Sequence, residues 1–258
     1  MSSPLGGESA GLCLAERGTR GVPLGTKTPL SFELKKTMGE RMSAETLDAP
    51  RGARRTFVAS RLGSLLAVAP LGVWTVNHVW DNLSAFQGAD AWQRSVTEHP
   101  HPVAHGVTLV LVLLPLLFHT VWGLGRLKSV RPNNERYGYF ANFRFILQRA
   151  SAIGVLFFLG AHLWLAMIRP RVLLGHAEAF ADISHEMHHH MPTLVVYLLG
   201  TLGVAYHLAN GIGTFAMGWG LAASRKSIRT IERLSYVFFV VLLAMSWGAI
   251  FALWRAGT

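Results

Sequence analysis

Cysteine and charge are both scarce in this sequence, and their scarcity excludes several classes of protein. Cys13 is the one cysteine among 258 residues, so the chain has neither an intrachain disulfide nor a Cys-x-x-Cys-His site for covalent haem attachment. Charged residues make up 15% of the chain and hydrophobic residues 51%, whereas soluble domains carry about 25% charged residues. These values exclude an ordinary cytosolic enzyme, a disordered chain and a disulfide-stabilised scaffold.

Five long stretches of the chain carry no formal charge, namely residues 62–80, 100–125, 150–168, 191–224 and 234–254. A helix that crosses the hydrocarbon core needs roughly 20 residues, and backbone groups in lipid must pair within the chain. The sequence therefore predicts an all-α integral membrane bundle of five transmembrane helices. Five buried helices of a soluble domain would need polar faces that these stretches lack. The fourth stretch exceeds one crossing, so we expect it to tilt, to kink near Gly211 and Gly213, or to project beyond the bilayer.

The basic residues indicate how the helices are oriented. Fourteen Lys and Arg residues flank the helices on one side and four on the other, so the positive-inside rule places the N-terminus in the cytoplasm. The net charge of +10 is thus a topology signal, and no nucleic-acid partner is expected. Residues 1–55 lack the apolar core of a signal peptide. They are predicted to be a flexible cytoplasmic N-terminal extension of a transmembrane domain at 56–258, with Met38 or Met42 as an alternative start.

One histidine lies deep in each of the first four apolar stretches, and an ionisable group inside a membrane is by default a functional-site hypothesis. His78 and His162 share the pattern His-x-Trp, while His119 and His207 share the pattern His-x-x-x-Gly-x-Gly. Counted from the helix ends, His78 and His162 lie towards the outer face, and His119 and His207 lie towards the inner face. A single such histidine is as often an interhelical hydrogen-bond partner, but four in succession favour a shared role.

Two imidazoles at one depth on different helices can fill both axial positions of a haem iron, which suits electron transfer rather than oxygen chemistry. Pairing His78 with His162, and His119 with His207, predicts two non-covalent b-type haems stacked across the membrane.

Several segments resemble one known family, the five-helix di-haem cytochrome b subunit of succinate dehydrogenase and fumarate reductase. They are RLGSLL at 61–66, PLLFHTVWG at 115–123, YFANF at 139–143, LQRASAI at 147–153 and HLANG at 207–211. The resemblance covers roughly residues 58–254, and by it the outer haem uses His78 and His162 and the inner haem uses His119 and His207.

The resemblance implies a set of partners and a task. The family anchors a flavoprotein subunit and an iron–sulfur subunit to the cytoplasmic face of the bacterial cytoplasmic membrane. Succinate is oxidised on the flavoprotein, so no succinate site is expected in this chain. Its expected task is to relay electrons of the respiratory chain between the iron–sulfur centres and membrane quinone, and menaquinone is common in this class.

Other polar residues are candidates for supporting roles. Arg61, Ser64, Arg149 and Ser151 lie near predicted helix starts, where they can meet haem propionates or, for the arginines, simply extend to the membrane interface. A quinone site needs titratable groups near a haem, and Glu98, His101 and His105 are the candidates at the outer start of the second helix. Solvated loop positions are the alternative for each of them.

A histidine cluster precedes the fourth apolar stretch. His185 and His188 share a helical face and could bind a transition metal, although no cysteine or ordered carboxylate set completes a cage. Proton buffering near the quinone by His188, His189 and His190 is the other hypothesis, and it predicts that replacing all three slows quinone turnover.

Two alternative functions stay open on the sequence. One is the cytochrome b subunit of another quinone-linked enzyme, such as a formate dehydrogenase, hydrogenase or nitrate reductase. The other is a transporter that uses the histidines for protons or metal, but intramembrane acids would then be expected, and the five apolar stretches contain none.

Overall fold

Within the described part of the chain, five helices are long and apolar enough to cross a membrane. The computed structural model describes residues 51–98, 106–127 and 139–258, and every regular element within these ranges is helical. We name the five helices spans 1 to 5; they cover Thr56–Gln87, Gly106–Leu127, Asn142–Leu174, Met191–Gly218 and Arg225–Ala256. The predicted all-α architecture with five spans is confirmed.

Several spans change their helical geometry along their length. The α-helices are Arg51–Leu66, Val73–Asn82, Ala89–Trp92, Leu114–Leu127, Phe140–Leu163, Phe180–His189, Met191–Gly218 and Arg225–Ala256. The π-helices are Ala67–Gly72, Gln93–Thr97, Leu109–Leu113 and Trp164–Leu174. A 3₁₀-helix covers Leu83–Gln87. Pro70 and Pro170 lie inside two of the π-helices. Proline lacks the N–H that an α-helix uses at each interior position, so a local change of hydrogen-bond pattern is expected there.

The long fourth apolar stretch is helical over most of its length and ends in a turn before span 5. Span 4 runs as an α-helix through Gly211 and Gly213 and ends at Gly218. Gly220 then adopts a φ of +75°, a left-handed conformation that glycine enters without steric cost. Ser224 begins span 5 with a capping box to Ser227, which satisfies free N–H groups of the first turn. Span 5 therefore starts nine residues before the predicted position 234, and the acid Glu232 lies inside it.

Consecutive spans run in opposite directions, and span 4 lies at the centre. It packs against spans 3 and 5 and against the π-helical part of span 1. Contact between spans 3 and 4 is close at Gly200, where an added Cβ would lie 2.7 Å from Phe158 Cβ. Small residues allow such close approach between membrane helices.

The two ends of the bundle differ, and we name them by what they carry. The connecting-helix face carries Phe180–His189, the connecting helix, which packs against span 5 and covers a core containing Trp92 and Met187, at 1% and 0% exposure. The basic face carries the start of spans 1, 3 and 5 and their arginines. Between the faces, large apolar side chains point outward, including Val73 at 68%, Phe157 at 75% and Leu199 at 63% exposure. A belt of this kind fits a lipid environment, because soluble monomers rarely expose large apolar patches.

Candidate functional site

The four deep histidines meet in two pairs. The ring centres of His78 and His162 lie 5.8 Å apart, and those of His119 and His207 lie 6.2 Å apart. The first pair joins spans 1 and 3 towards the connecting-helix face, and the second joins spans 2 and 4 towards the basic face. These are the pairs that the sequence places at equal depth.

The spacing within each pair fits one metal ion between two imidazoles. A bond between a metal and an imidazole nitrogen is about 2 Å long, and the nitrogen lies about 1 Å from the ring centre. Two rings on opposite sides of one ion are therefore about 6 Å apart. Both observed separations agree with this value.

The hydrogen bonds of the rings fall on Nδ1. His119 Nδ1 lies 3.3 Å from the carbonyl oxygen of Gly63, and His162 Nδ1 lies 3.1 Å from the hydroxyl of Tyr197. His207 Nδ1 lies 3.3 Å from the carbonyl oxygen of Gln148. Metal-binding histidines usually donate one ring N–H to such an oxygen and bind the metal through the other nitrogen. The arrangement leaves Nε2 of these three rings available to a metal.

The two pairs stand at different levels of the bundle. Tyr197 is level with His162, and His207 follows Tyr197 by ten residues on span 4, which is about 15 Å at 1.5 Å per residue. Span 1 gives a second measure, because Gly63 contacts His119 and His78 follows Gly63 by fifteen residues, or about 22 Å along that helix. The pairs are thus stacked along the bundle axis.

Two comparisons with known proteins point to one family. Residues 128–246 match the family model described as the succinate dehydrogenase/fumarate reductase transmembrane subunit. A curated relative, the succinate dehydrogenase cytochrome b558 subunit of Bacillus subtilis (strain 168), is 31% identical over 199 residues, which are 77% of this chain and 97% of that protein. The chain belongs to the family of succinate dehydrogenase and fumarate reductase transmembrane subunits. It is therefore a multi-pass membrane subunit, and family membership disfavours the formate dehydrogenase, hydrogenase, nitrate reductase and transporter alternatives.

A polar network ties His207 of this subunit to the basic face. The side-chain amide of Gln148 donates to the His207 carbonyl at 3.1 Å, and Asn210 donates to Gln148 Oε1 at 2.7 Å. Arg144 donates to Asn210 Oδ1 at 2.8 Å and to Glu232 Oε1 at 2.7 Å. Sequence reasoning missed this network. The i, i+4 spacing of Arg144 with Gln148, and the nearness of Asn210 to His207, are the signals that could have revealed it.

Aromatic rings surround the pair formed by His78 and His162. Trp74 stacks on His78 with ring centres 4.7 Å apart, and Phe158 stacks on His162 at 5.6 Å. Tyr197, which is 8% exposed, supplies the hydroxyl next to His162. Sequence reasoning did not select Tyr197, because a tyrosine on an apolar helix face gives no pattern that separates it from core residues.

Of the predicted propionate contacts, Ser151 lies nearest to a histidine, with Oγ 3.4 Å from His207 Nδ1. Arg61 lies over the Phe57 ring at 4.8 Å, and Ser64 accepts a hydrogen bond from the indole N–H of Trp219 at 3.1 Å. Arg149 donates to the carbonyl of Phe145 at 3.0 Å. These side chains lie on the basic face, near the ends of spans 1, 3 and 4.

Only Glu98 of the three predicted quinone residues lies within the described part of the chain, since His101 and His105 fall outside it. Glu98 is exposed and follows the π-helix at Gln93–Thr97. A different carboxyl, Glu178, lies two residues before the connecting helix and is buried, with 9% exposure. Burial raises the pKa of the Glu178 carboxyl to about 7, with Asp182 adding to the increase and Arg171 opposing it.

The histidine cluster is distributed over the connecting helix and its end. His188 Nδ1 lies 2.9 Å from the carbonyl oxygen of Trp254, and His190 Nδ1 lies 3.0 Å from Glu186 Oε1. Among the described residues, no group of three or more His, Cys, Asp or Glu side chains is placed to hold a metal ion. The cluster instead links the connecting helix to spans 4 and 5.

Proposed function

We propose that this subunit relays electrons between an iron–sulfur partner subunit and membrane quinone through two haems b. His78 and His162 would hold one haem, and His119 and His207 would hold the other. The observation that carries the proposal is the pairing of four histidines at two levels, with about 6 Å between the rings of each pair. The name of the Bacillus subtilis relative, a cytochrome b558 subunit, supports the same assignment.

Residues of this chain would set the tautomer and the basicity of the histidine ligands. A haem iron with two imidazole ligands supplies one-electron transfer. Gly63 would hold the N–H of His119 with its carbonyl oxygen, and Tyr197 would hold that of His162 with its hydroxyl. These two contacts would fix the ring tautomer and increase the basicity of the ligand nitrogen. His207 Nδ1 lies near both the carbonyl oxygen and the side-chain amide of Gln148.

The basic face is the proposed docking side. Its arginines fit the cytoplasmic side by the positive-inside rule, with the N-terminus in the cytoplasm and the flavoprotein and iron–sulfur subunits bound there. Ser151 lies beside His207, and Arg61, Ser64, Arg149 and Ser151 are the residues proposed to serve the haem propionates of the second pair. Electrons from succinate would then pass from the basic face to the connecting-helix face, with menaquinone as the proposed quinone.

The test is a haem titration of the intact purified complex. Reduced-minus-oxidised spectra and the ratio of haem to flavin are measured for wild type, His78→Ala and His119→Ala. We expect two b-type haems per flavin in wild type and one in each variant, with a different spectral component lost in each case. His189→Ala, an exposed histidine of the connecting helix, is the matched control and should retain both haems.

Two results would contradict the proposal. A wild-type complex that contains flavin but no haem would contradict electron transfer through haems. Loss of the same spectral component in both variants would contradict the assignment of the four histidines to two separate haems. Co-purified flavoprotein measured in each preparation shows whether the variant subunit still assembles.

A further inference from the structure

The side chain of Gln148 on span 3 places its amide group against His207 on span 4. Gln148 Nε2 donates to the carbonyl oxygen of His207 at 3.1 Å and lies 3.2 Å from His207 Nδ1. A primary amide nitrogen carries two hydrogens, so one serves the carbonyl oxygen and the second is available to the ring. Gln148 therefore contacts the same histidine at its main chain and at its imidazole.

The orientation of this amide is fixed by the groups on either side of it. The nitrogen and oxygen atoms of an amide have to be assigned from their hydrogen-bond partners. Arg144 can only donate, and two of its nitrogens donate to Asn210 Oδ1, at 2.8 and 3.2 Å. The Asn210 nitrogen then donates to Gln148 Oε1 at 2.7 Å, which leaves the Gln148 nitrogen facing His207. The carbonyl oxygen of His207 only accepts, so both ends of this row of amides require the same orientation.

An ion pair anchors the far end of the row. Arg144 donates to Glu232 Oε1 at 2.7 Å, and the Arg144 side chain is 18% exposed. Asn210 is 8% exposed. Hydrogen bonds between groups so little exposed are stronger than in water, because the local dielectric constant is low. The donor that faces His207 is thus held in place by an ion pair and by two amides.

A donor at this position opposes the second contact that a metal-binding histidine usually makes. Such a histidine donates its free ring N–H to an oxygen, which makes the ligand nitrogen more basic. For His207 that oxygen is the main-chain carbonyl of Gln148, 3.3 Å from Nδ1. Ser151 Oγ donates to the same carbonyl at 3.0 Å, so His207 shares its acceptor with another donor. The amide nitrogen of Gln148 meanwhile lies as close to Nδ1 as the carbonyl oxygen does.

We propose that Gln148 is a positioning residue that limits the basicity of His207 and thereby raises the reduction potential of the haem on the basic face. A less basic imidazole stabilises the oxidised iron less, and hydrogen bonds to axial ligands are one of the means by which proteins set haem potentials. The inference rests on the proposed function, because it requires that His119 and His207 hold a haem. It gives Gln148 the opposite effect to Tyr197, whose hydroxyl oxygen is placed to accept from His162.

The experiment removes the amide donor and compares the result with another glutamine. Gln148→Leu has no donor, whereas Gln93→Leu is the matched control at the connecting-helix face. Gln93 also bonds main-chain groups of another segment, the carbonyl of Glu178 at 2.9 Å and the N–H of Phe180 at 3.1 Å. Redox titration of the intact complex gives the reduction potential of each haem, and haem and flavin contents are measured in every preparation.

The expected change is a lower potential for one haem only. At a fixed applied potential, the ratio of oxidised to reduced haem on the basic face should increase about fivefold in Gln148→Leu, which is a decrease of about 40 mV at about 59 mV per tenfold. In Gln93→Leu the same ratio should stay within twofold of wild type. A role of Gln148 in packing alone would lower the stability of the complex without this shift.

Gln148→Met is a second variant, which decides the question if Gln148→Leu loses the haem. Methionine is unbranched like glutamine and has no donor, so a different side-chain shape carries the same chemical change. We expect the potential of the basic-face haem to fall by a similar amount in both variants, because the lost donor is what they share.

Three results would overturn the inference and leave the proposed function intact. They are a potential of the basic-face haem that is unchanged or higher in the Gln148 variants, an equal shift of both haems, and loss of the basic-face haem from both variants while the other haem is retained. The last result would make Gln148 necessary for haem binding instead of for the potential. A wild-type complex that contains flavin but no haem contradicts the proposed function itself.

Discussion

The two histidine pairs have the same spacing but different surroundings. The pair on the basic face is connected through Gln148 and Asn210 to a charged pair, Arg144 and Glu232. The pair near the connecting-helix face lies among aromatic rings, with Tyr197 as the polar neighbour of His162. Each histidine pair thus has its own sequence pattern and its own electrostatic environment.

Under the proposed function, this difference assigns a different task to each histidine pair. Fully bonded polar networks hold their members rigidly, which suits a position that must meet a docked partner at a constant geometry. The aromatic level instead gives His162 one polar side-chain contact, the hydroxyl of Tyr197. The four predictions below test the contrast between the two levels.

The largest expected effect comes from breaking the Arg144–Glu232 pair. Arg144→Leu leaves Glu232 without this partner and removes two hydrogen bonds to Asn210, so we expect a loss of about 2 kcal/mol, between the values for exposed and buried pairs. The apparent Tm of the detergent-purified complex should fall by about 4–8 °C. Arg229→Leu is the matched control because Arg229 is exposed and bonds a carbonyl of its own helix. An equal decrease in both variants would contradict the structural role of the network.

A smaller loss is expected from Gly200→Ala beside the His78–His162 level. The added methyl group overlaps the Phe158 side chain that stacks on His162, and overpacking of this kind costs about 1–2 kcal/mol. Gly203→Ala on the same helix is the control, because its Cβ would meet Val155 at an ordinary 3.5 Å. The apparent Tm should fall for Gly200→Ala alone, and the spectral change should be confined to the haem that His78→Ala removes.

Much of this molecule could be predicted from the sequence because lipid imposes simple rules. Uncharged stretches of sufficient length specify the five spans, and helix geometry places His78 with His162 and His119 with His207. The helix ends were less predictable, since the capping box at Ser224 extends span 5 into a charged segment. The polar network was missed because it depends on contacts between residues about 60 to 90 positions apart, such as Gln148 with His207 and Arg144 with Glu232.

Tyr197→Phe should change one haem and leave the other unaltered. The hydroxyl that accepts from His162 is lost, so the ligand becomes less basic and the oxidised iron less stabilised. The reduction potential of that haem should rise by about 40 mV, which corresponds to one hydrogen bond of about 1 kcal/mol. Tyr206→Phe is the matched control on the same span, since no described residue hydrogen-bonds its hydroxyl. Redox titration of the two spectral components measures the reduction potentials of both haems in each variant. A shifted potential for the haem of the basic face would contradict the assignment of Tyr197 to the other haem.

The smallest expected signal is the titration of a single carboxyl group. This prediction compares one acidic residue on each face of the bundle. Glu232 is paired with Arg144, whereas Glu178 is buried and its pKa is raised to about 7. The charged and titratable groups around it are Arg169, Arg171, His176, Asp182, His185 and Glu186. Because burial disfavours the carboxylate, Glu178 should be protonated below about pH 7 and lose its proton as the pH rises through that value.

Infrared titration of the complex should therefore show one carboxylic C=O band that disappears near neutral pH and is missing in Glu178→Gln. Asp182→Asn removes a negative charge that raises the pKa of Glu178, so the midpoint should move down by a fraction of a unit. A band that is already lost near pH 5 in wild type would mean that water reaches Glu178. The contrast between a paired acid on one face and a protonated acid on the other would then disappear, while the histidine pairs would be unaffected.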